Sequence, residues 1–187
     1  MTISQPAILA RLDRAAAVIA GLRTQATRIE RLAGEVRACF DRGGHLYTCG
    51  NGGSAAEALH LSEELIGRYK RDRRPYPAVC LAADPSALTC IANDYGYEQV
   101  FARQIEALGK PGDALVVLST SGNSPNIERA LISARARQVR TLGLLGKGGG
   151  RCAPLCDVAL VVDATETEHV QEAHQVLIHL ILEAVEG

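Results

Sequence analysis

The chain has 187 residues, 47% apolar and 22% charged, enough to build one domain around a core of its own. A formal charge of −1 and the absence of Trp exclude a strongly basic nucleic-acid surface and a stacking platform for single strands. Arg11, Asp13 and Arg14 break up the N-terminal region and no apolar run reaches the roughly 18 residues of a spanning helix, so the chain reads as neither secreted nor membrane-inserted.

Ile8, Leu9, Leu12, Ala16, Ile19 and Ala20 recur at helical spacing and predict an amphipathic helix over residues 5–21. Ile29, Leu32, Val36 and Phe40 predict a second over 25–42, ended by Gly43-Gly44. Together they make a helical arm, residues 1–44, which must cover its own sheet or a neighbour's and is assigned to oligomer packing. Residues 45–187 form the domain proper. Short apolar runs at 45–49, 76–82, 113–119, 139–146 and 157–163 are bounded by Gly, Pro or Asp, as buried parallel strands are. Helices are predicted between them over 53–67, 85–107 with a break near Tyr95-Gly96, 125–137 and, briefly, 151–155. A final helix is predicted over 166–186. This alternation predicts an α/β fold: a three-layer α/β/α sandwich on a five-stranded, doubly wound parallel sheet. The basic stretch RYKRDRR (68–74) reads as a solvated loop, with Arg68 close enough to the preceding helix to reach a ligand. Cys39, Cys49, Cys80, Cys90, Cys152 and Cys156 form no CxxC pair. Cys49, Cys80 and Cys90 lie in apolar runs, and the set reads as reduced core thiols of a cytosolic protein.

In such a fold ligands sit beyond the carboxyl ends of the strands, where strand order reverses. Three loops there have phosphate-binding composition. Gly50-Asn51-Gly52-Gly53-Ser54 opens a helix, where unpaired N–H groups favour an anion; it reads as an anion site or as a tight strand-to-helix turn. It has neither dinucleotide nor P-loop spacing. Ser119-Thr120-Ser121-Gly122-Asn123-Ser124 sets four hydroxyls before Pro125 at another helix start. A cap uses one hydroxyl, so this loop reads as an anion site. Gly146-Lys147-Gly148-Gly149-Gly150 lacks P-loop spacing and reads as a mobile surface connection.

His60 and Glu64 are four apart and project side by side from one helix, whose core face is read through Ala55, Leu59, Leu61 and Leu65. The last helix offers Gln171, Glu172, His174 and His179. Gln171 and His179 lie roughly 80° apart around the axis, Glu172 and His179 closer, and periodicity alone does not choose between Gln171 and Glu172. His179, flanked by Ile178 and Ile181, reads equally as a hydrogen-bonded core histidine. Taken together, these N and O donors suit a borderline divalent ion such as zinc. Without a metal, Glu64 and His179 make an acid–base pair beside a phosphate pocket.

CGNGGSAAEALHLSEELIGRY (49–69), AND with GY (92–97), LSTSGNSPN (118–126) and VQEAHQVLIHLI (170–181) resemble the phosphoheptose isomerases of the sugar-isomerase (SIS) domain superfamily, over nearly the whole chain. The resemblance implies interconversion of D-sedoheptulose 7-phosphate and D-glycero-D-manno-heptose 7-phosphate, the first step towards the nucleotide-activated heptose of lipopolysaccharide or other surface glycans. It implies a cytoplasmic homotetramer with active sites at subunit interfaces and one zinc per subunit on His60, Glu64, Gln171 and His179. Glu64 and His179 would be the acid–base pair. Ser54, Ser119, Thr120, Ser121 and Ser124 would hold the phosphate, and Asn51, Gly52, Gly53, Glu64, Arg68, Asn93, Asp94 and Gln171 would line the substrate site. One departure stands out: His169 replaces the family's usual Arg, and Glu168 its Pro. Two other readings remain at this stage. One is an isomerase of a different sugar phosphate. The other is a non-catalytic tetrameric regulator of the same fold that binds the replication initiator, which the full His/Glu/Gln/His set disfavours.

Overall fold

The run ALVVLS becomes β3 (Ala114–Ser119) and is buried along its whole length, because helices cover both faces of the sheet there. The structure, a computed structural model, describes residues 3–187. In chain order its elements are α1 (Gln5–Gly21), α2 (Ala26–Asp41), β1 (Leu46–Cys49), α3 (Gly53–Ile66), β2 (Ala78–Cys80), α4 (Pro85–Tyr95), α5 (Ala102–Leu108), β3, α6 (Pro125–Ala136), β4 (Arg140–Gly146), β5 (Val158–Val162) and α7 (Thr167–Glu186). The five strands are parallel in the order β2-β1-β3-β4-β5. This is the predicted α/β sandwich, with its topological switch between β1 and β3.

Strand alternation divides the core in two. Leu46, Ala114, Val116, Leu118, Leu142, Leu144 and Leu160 face α2, α3 and α7. Tyr47, Leu115, Val117 and Leu145 face α5 and α6, where Phe101, Ile105, Ile127 and Leu131 fill the layer. Leu115 is fully buried in the second layer. Leu115→Ala is expected to cost about 2–5 kcal/mol, read as a lowered urea midpoint with unchanged slope.

Differences from the predicted elements have local causes. The strand predicted over 76–82 shrinks to Ala78–Cys80 on an edge, because Pro75 and Pro77 lack the N–H a longer ladder needs. The break expected near Tyr95-Gly96 in the helix predicted over 85–107 is there: Gly96, with a φ of 89°, ends α4. Leu59 is exposed; the buried face of α3 runs through Ser54, Ala58, Leu61, Ser62 and Leu65, so Leu61 and Leu65 are as expected, while Ser54 and Ala58 stand one position before the expected Ala55 and Leu59. Thr48 pins that face to β1, with its hydroxyl 2.8 Å from both the Ala58 carbonyl and the Ser62 hydroxyl. Cys90 is exposed, unlike Cys39, Cys49, Cys80 and Cys152. Burial pushes the Cys39 and Cys152 thiols up to about 11 and Cys156 up to about 12, so they stay protonated.

Both arm helices pack against α7, but differently. α2 buries Leu32, Ala33, Val36, Cys39 and Phe40 in the core. α1 buries none of its side chains: Ile8, Leu9 and Leu12 are exposed, and Arg11 joins it to α7 through Glu168 (3.1 Å) and Glu172 (3.7 Å). No helix among the described residues is long and apolar enough to cross a membrane.

Candidate functional site

The loops after β1 and β3 meet at the topological switch. Asn51 and Asn126 exchange side-chain amide hydrogen bonds of 3.0 and 2.8 Å, and the Tyr97 hydroxyl donates to the Asn51 carbonyl oxygen at 3.0 Å. Asn51 therefore serves as a clamp between the two loops. Its partners Asn126 and Tyr97 were not singled out from the sequence. Asn126 ends the quoted LSTSGNSPN stretch, and its burial in the first turn of α6 would have been the signal.

Gly52 and Gly53 are exposed at the mouth of α3, with Ser54 buried behind them. A Cβ on Gly53 would lie 2.2 Å from Gln171 Nε2, so a side chain there would have to push the Gln171 carboxamide aside. In the second loop the Ser119 hydroxyl accepts from the Gly122 N–H (3.1 Å) and the Ser121 hydroxyl from the Asn123 N–H (3.2 Å), so both shape the turn. Thr120 and Ser124 are half-buried, and Ser124 makes no capping bond with its side chain. That leaves the Thr120 and Ser124 hydroxyls without a hydrogen-bond partner among the described residues, at the start of α6, where the helix dipole favours an anion.

The loop 146–150 is not the mobile connection its composition suggested. Gly149 is buried, and its carbonyl lies so close to Gly122 that a Cβ on Gly122 would meet it at 2.1 Å. Asn123 accepts from the Arg151 N–H at 3.1 Å, and Lys147 donates to the Thr167 hydroxyl at 3.0 Å. Gly146, Gly149 and Gly150 serve close packing against neighbouring segments; Gly148 stands clear of them.

The polar side chains of α3 and α7 face each other along their shared seam. Ligand atoms of His60, Glu64 and His179 all lie within 4.8 Å of one another. His60 Nε2 is 3.3 Å from Glu64 Oε1. Glu64 Oε2 is buried and has no hydrogen-bond partner among the described residues. An unclaimed carboxylate oxygen beside two imidazoles is a donor set that fits a borderline divalent ion.

Gln175 completes the cluster from the side: its amide nitrogen is 2.8 Å from His60 Nδ1 and 3.1 Å from His179 Nε2. It was missed in the sequence although it lies one turn from His179, the same i, i+4 relation that exposed His60 and Glu64. Gln171 makes no hydrogen bond to the three; its carboxamide covers Gly53. Glu172 turns away, 2.7 Å from His169 Nδ1 and towards Arg11. His169, which stands where the resemblance leads one to expect Arg, is buried, with its imidazole tied to Glu172. One turn nearer the glycine loop, the fully buried His174 has its Nδ1 3.9 Å from Glu57 Oε2.

Arg68 is exposed at the end of α3. Asn93 and Asp94 are exposed on α4 and hydrogen-bond each other at 2.8 Å.

A family model described as the SIS domain matches residues 12–146. The chain is 49% identical to a phosphoheptose isomerase of Pelobacter propionicus over 155 residues, 83% of this chain and 82% of that relative. Among solved structures, phosphoheptose isomerase GmhA from Neisseria gonorrhoeae superposes with a TM-score of 0.92 at 35% identity, over 97% of this chain and 98% of the other. A phosphoheptose isomerase from Francisella tularensis superposes with a TM-score of 0.94 at 29% identity, over 98% of each chain.

Proposed function

This chain belongs to the phosphoheptose isomerase family of SIS domains and is a sugar-phosphate isomerase, and on that premise we propose that it interconverts D-sedoheptulose 7-phosphate and D-glycero-D-manno-heptose 7-phosphate. The observation that carries the reading is the convergence of His60, Glu64 and His179 within 4.8 Å, on helices that start beside two hydroxyl- and glycine-rich loops.

Ketose–aldose isomerisation moves one proton between C1 and C2 and another between O1 and O2, through a cis-enediol. Glu64 Oε1 is held by His60, and its free Oε2 is the oxygen that takes the carbon proton. His179 moves the oxygen proton. Each positioned group contributes about 10²–10⁴-fold. The phosphate sits on Ser54, Ser119, Thr120, Ser121 and Ser124, with the backbone of Gly52 and Gly53 close by. Its remote binding orients the reacting carbons. Asn51 fixes the loop pair, and Arg68, Asn93, Asp94 and Gln171 contact the sugar.

His60, Glu64 and His179, with the Gln171 carboxamide, would hold one Zn²⁺ per subunit. The chemistry such an ion would supply is Lewis-acid polarisation of a carbonyl or, with all its positions taken by these residues, structural support of the site. The exposed Ile8, Leu9 and Leu12 of α1 support a homotetramer in which residues 1–44 pack between subunits and residues 45–187 form the isomerase domain. The product feeds nucleotide-activated heptose synthesis for lipopolysaccharide or other surface glycans in the cytoplasm.

The test is incubation with sedoheptulose 7-phosphate, followed by proton NMR for a new aldose anomeric signal, with a pentose 5-phosphate in parallel. Product from the heptulose alone is expected. Turnover of the pentose alone would sink the substrate assignment, and no turnover of either would favour a regulator. Elemental analysis of the purified protein should show zinc near one equivalent, and His60→Ala should lose it.

A further inference from the structure

The segment after α3 is irregular from Gly67 to Pro75 and exposed except at Tyr69 and Arg73, yet it is tied down at both ends. One carboxylate does most of this. Glu186, near the end of α7 with its side chain 4% exposed, accepts from the backbone N–H groups of Tyr69 (2.9 Å), Lys70 (2.9 Å) and Arg71 (3.1 Å), and pairs with Arg73 Nε at 3.0 Å. Arg73 then turns its remaining nitrogens to the Glu64 carbonyl (2.7 Å) and the Leu65 carbonyl (2.9 Å), closing the C-terminus of α3. Lys70 adds a pair with Glu183. Loop amides and helix-end carbonyls that would otherwise go to water are satisfied by one buried ion pair. Burial pushes the Glu186 carboxyl up, but the three amides and Arg73 outweigh it and hold it below the ordinary range.

The consequence falls on Tyr69. Its ring stacks on the His179 imidazole, with centroids 5.6 Å apart and planes 18° from parallel. The N–H of this same residue is one of the three held by Glu186. Glu186 follows His179 by seven residues, two turns on the same side of α7. One helix therefore carries both the imidazole and the anchor for the ring that lies on it. Gln175, His60 and Glu64 are its other neighbours.

We propose that Glu186 and Tyr69 are positioning residues for His179: the carboxylate seats residues 69–71, and the seated tyrosine ring fixes the imidazole facing Glu64. For catalysis this rests on the isomerase role of His179 given above; for structure it stands alone.

The experiment compares Glu186→Ala, Glu186→Gln, Tyr69→Ala and Tyr69→Phe with the parent chain by three readouts. Amide hydrogen exchange in Glu186→Ala should speed at residues 69–71 by at least about tenfold while residues 114–119 stay protected, showing local release. Glu186→Gln, which keeps one acceptor oxygen, should fall between. The His179 ring-proton NMR signal, shielded by the stacked tyrosine, should move downfield in Glu186→Ala as far as in Tyr69→Ala, and stay put in Tyr69→Phe. Both alanine variants should lose roughly ten- to hundredfold in kcat with little change in KM, as a misplaced catalytic group does; Tyr69→Phe should keep kcat. A released segment with an unmoved His179 signal would overturn the proposal, as would full kcat in Tyr69→Ala. If the parent chain does not turn over the heptulose phosphate, the substrate reading falls. The exchange and ring-proton results still decide whether Glu186 and Tyr69 position the imidazole.

Discussion

Glu64→Gln is expected to lose at least about 10³-fold in kcat while binding sugar phosphate nearly as well as the parent chain. One oxygen of Glu64 is engaged by His60, and the other is buried without a partner. A glutamine fits the same space. Its amide can hydrogen-bond His60, but it cannot accept a proton from carbon. Binding should survive because the phosphate loops lie at the other end of the seam. Turnover in deuterated water gives a second readout, since a base that shuttles the carbon proton puts deuterium into the product. Calorimetric binding of the heptulose phosphate and metal content, measured on the same preparation, separate loss of the base from loss of an ion. Full turnover by this variant would remove Glu64 from the mechanism.

Gly122→Ala should be the most damaging single-methyl change in the phosphate loops. Gly122 has φ +64°, and a Cβ would lie 2.1 Å from the Gly149 carbonyl oxygen and 2.3 Å from its carbon. Those are backbone atoms and cannot swing aside. The conformation alone costs roughly 1–2 kcal/mol for a residue with a side chain. The clash adds to this by forcing residues 119–124 and 146–151 apart. We expect a lower urea midpoint and a KM raised by at least about tenfold, because hydroxyls aimed at one phosphate lose their common target. Gly148→Ala is the control. Its φ is +78°, but nothing lies within 4 Å of the added methyl, so it should show the stability cost and keep its KM. Equal KM in both variants would show that the two loops do not act as a unit.

Much of this site could be read from residue types because those residues act locally. Gly52, Gly53 and the hydroxyls of 119–124 report a backbone conformation and a helix start, both encoded within a few positions. His60 and Glu64 were visible because helical periodicity aligns them. The α/β order was visible because buried strands are apolar without interruption. What escaped depends on partners far along the chain. Asn126 and Tyr97 matter through Asn51, and Gln175 matters through His60. The third glycine run was misread because close packing and mobility call for the same residue. Leu59 was misplaced because one step around α3 changes which side chains meet β1 and which meet solvent. Cys90 looked internal because its neighbours are apolar, but α4 lies on the outside with no buried side chain.

The meeting of α3 with α7 also sets when the enzyme can first work. Gln175 reaches His60 across 115 positions. As the polypeptide leaves the ribosome, all five strands and both hydroxyl loops emerge before α7 does. Until that helix arrives, the sheet face it shares with α2 and α3 is only partly covered and Glu64 has no second imidazole beside it. The cost of closing so long a loop falls on this last docking step. If Glu64 and His179 act as proposed, a nascent chain stays inert until α7 seats, and because Gln171 and Val170 of that helix pack on Gly53 and Gly146, the same step completes both loops.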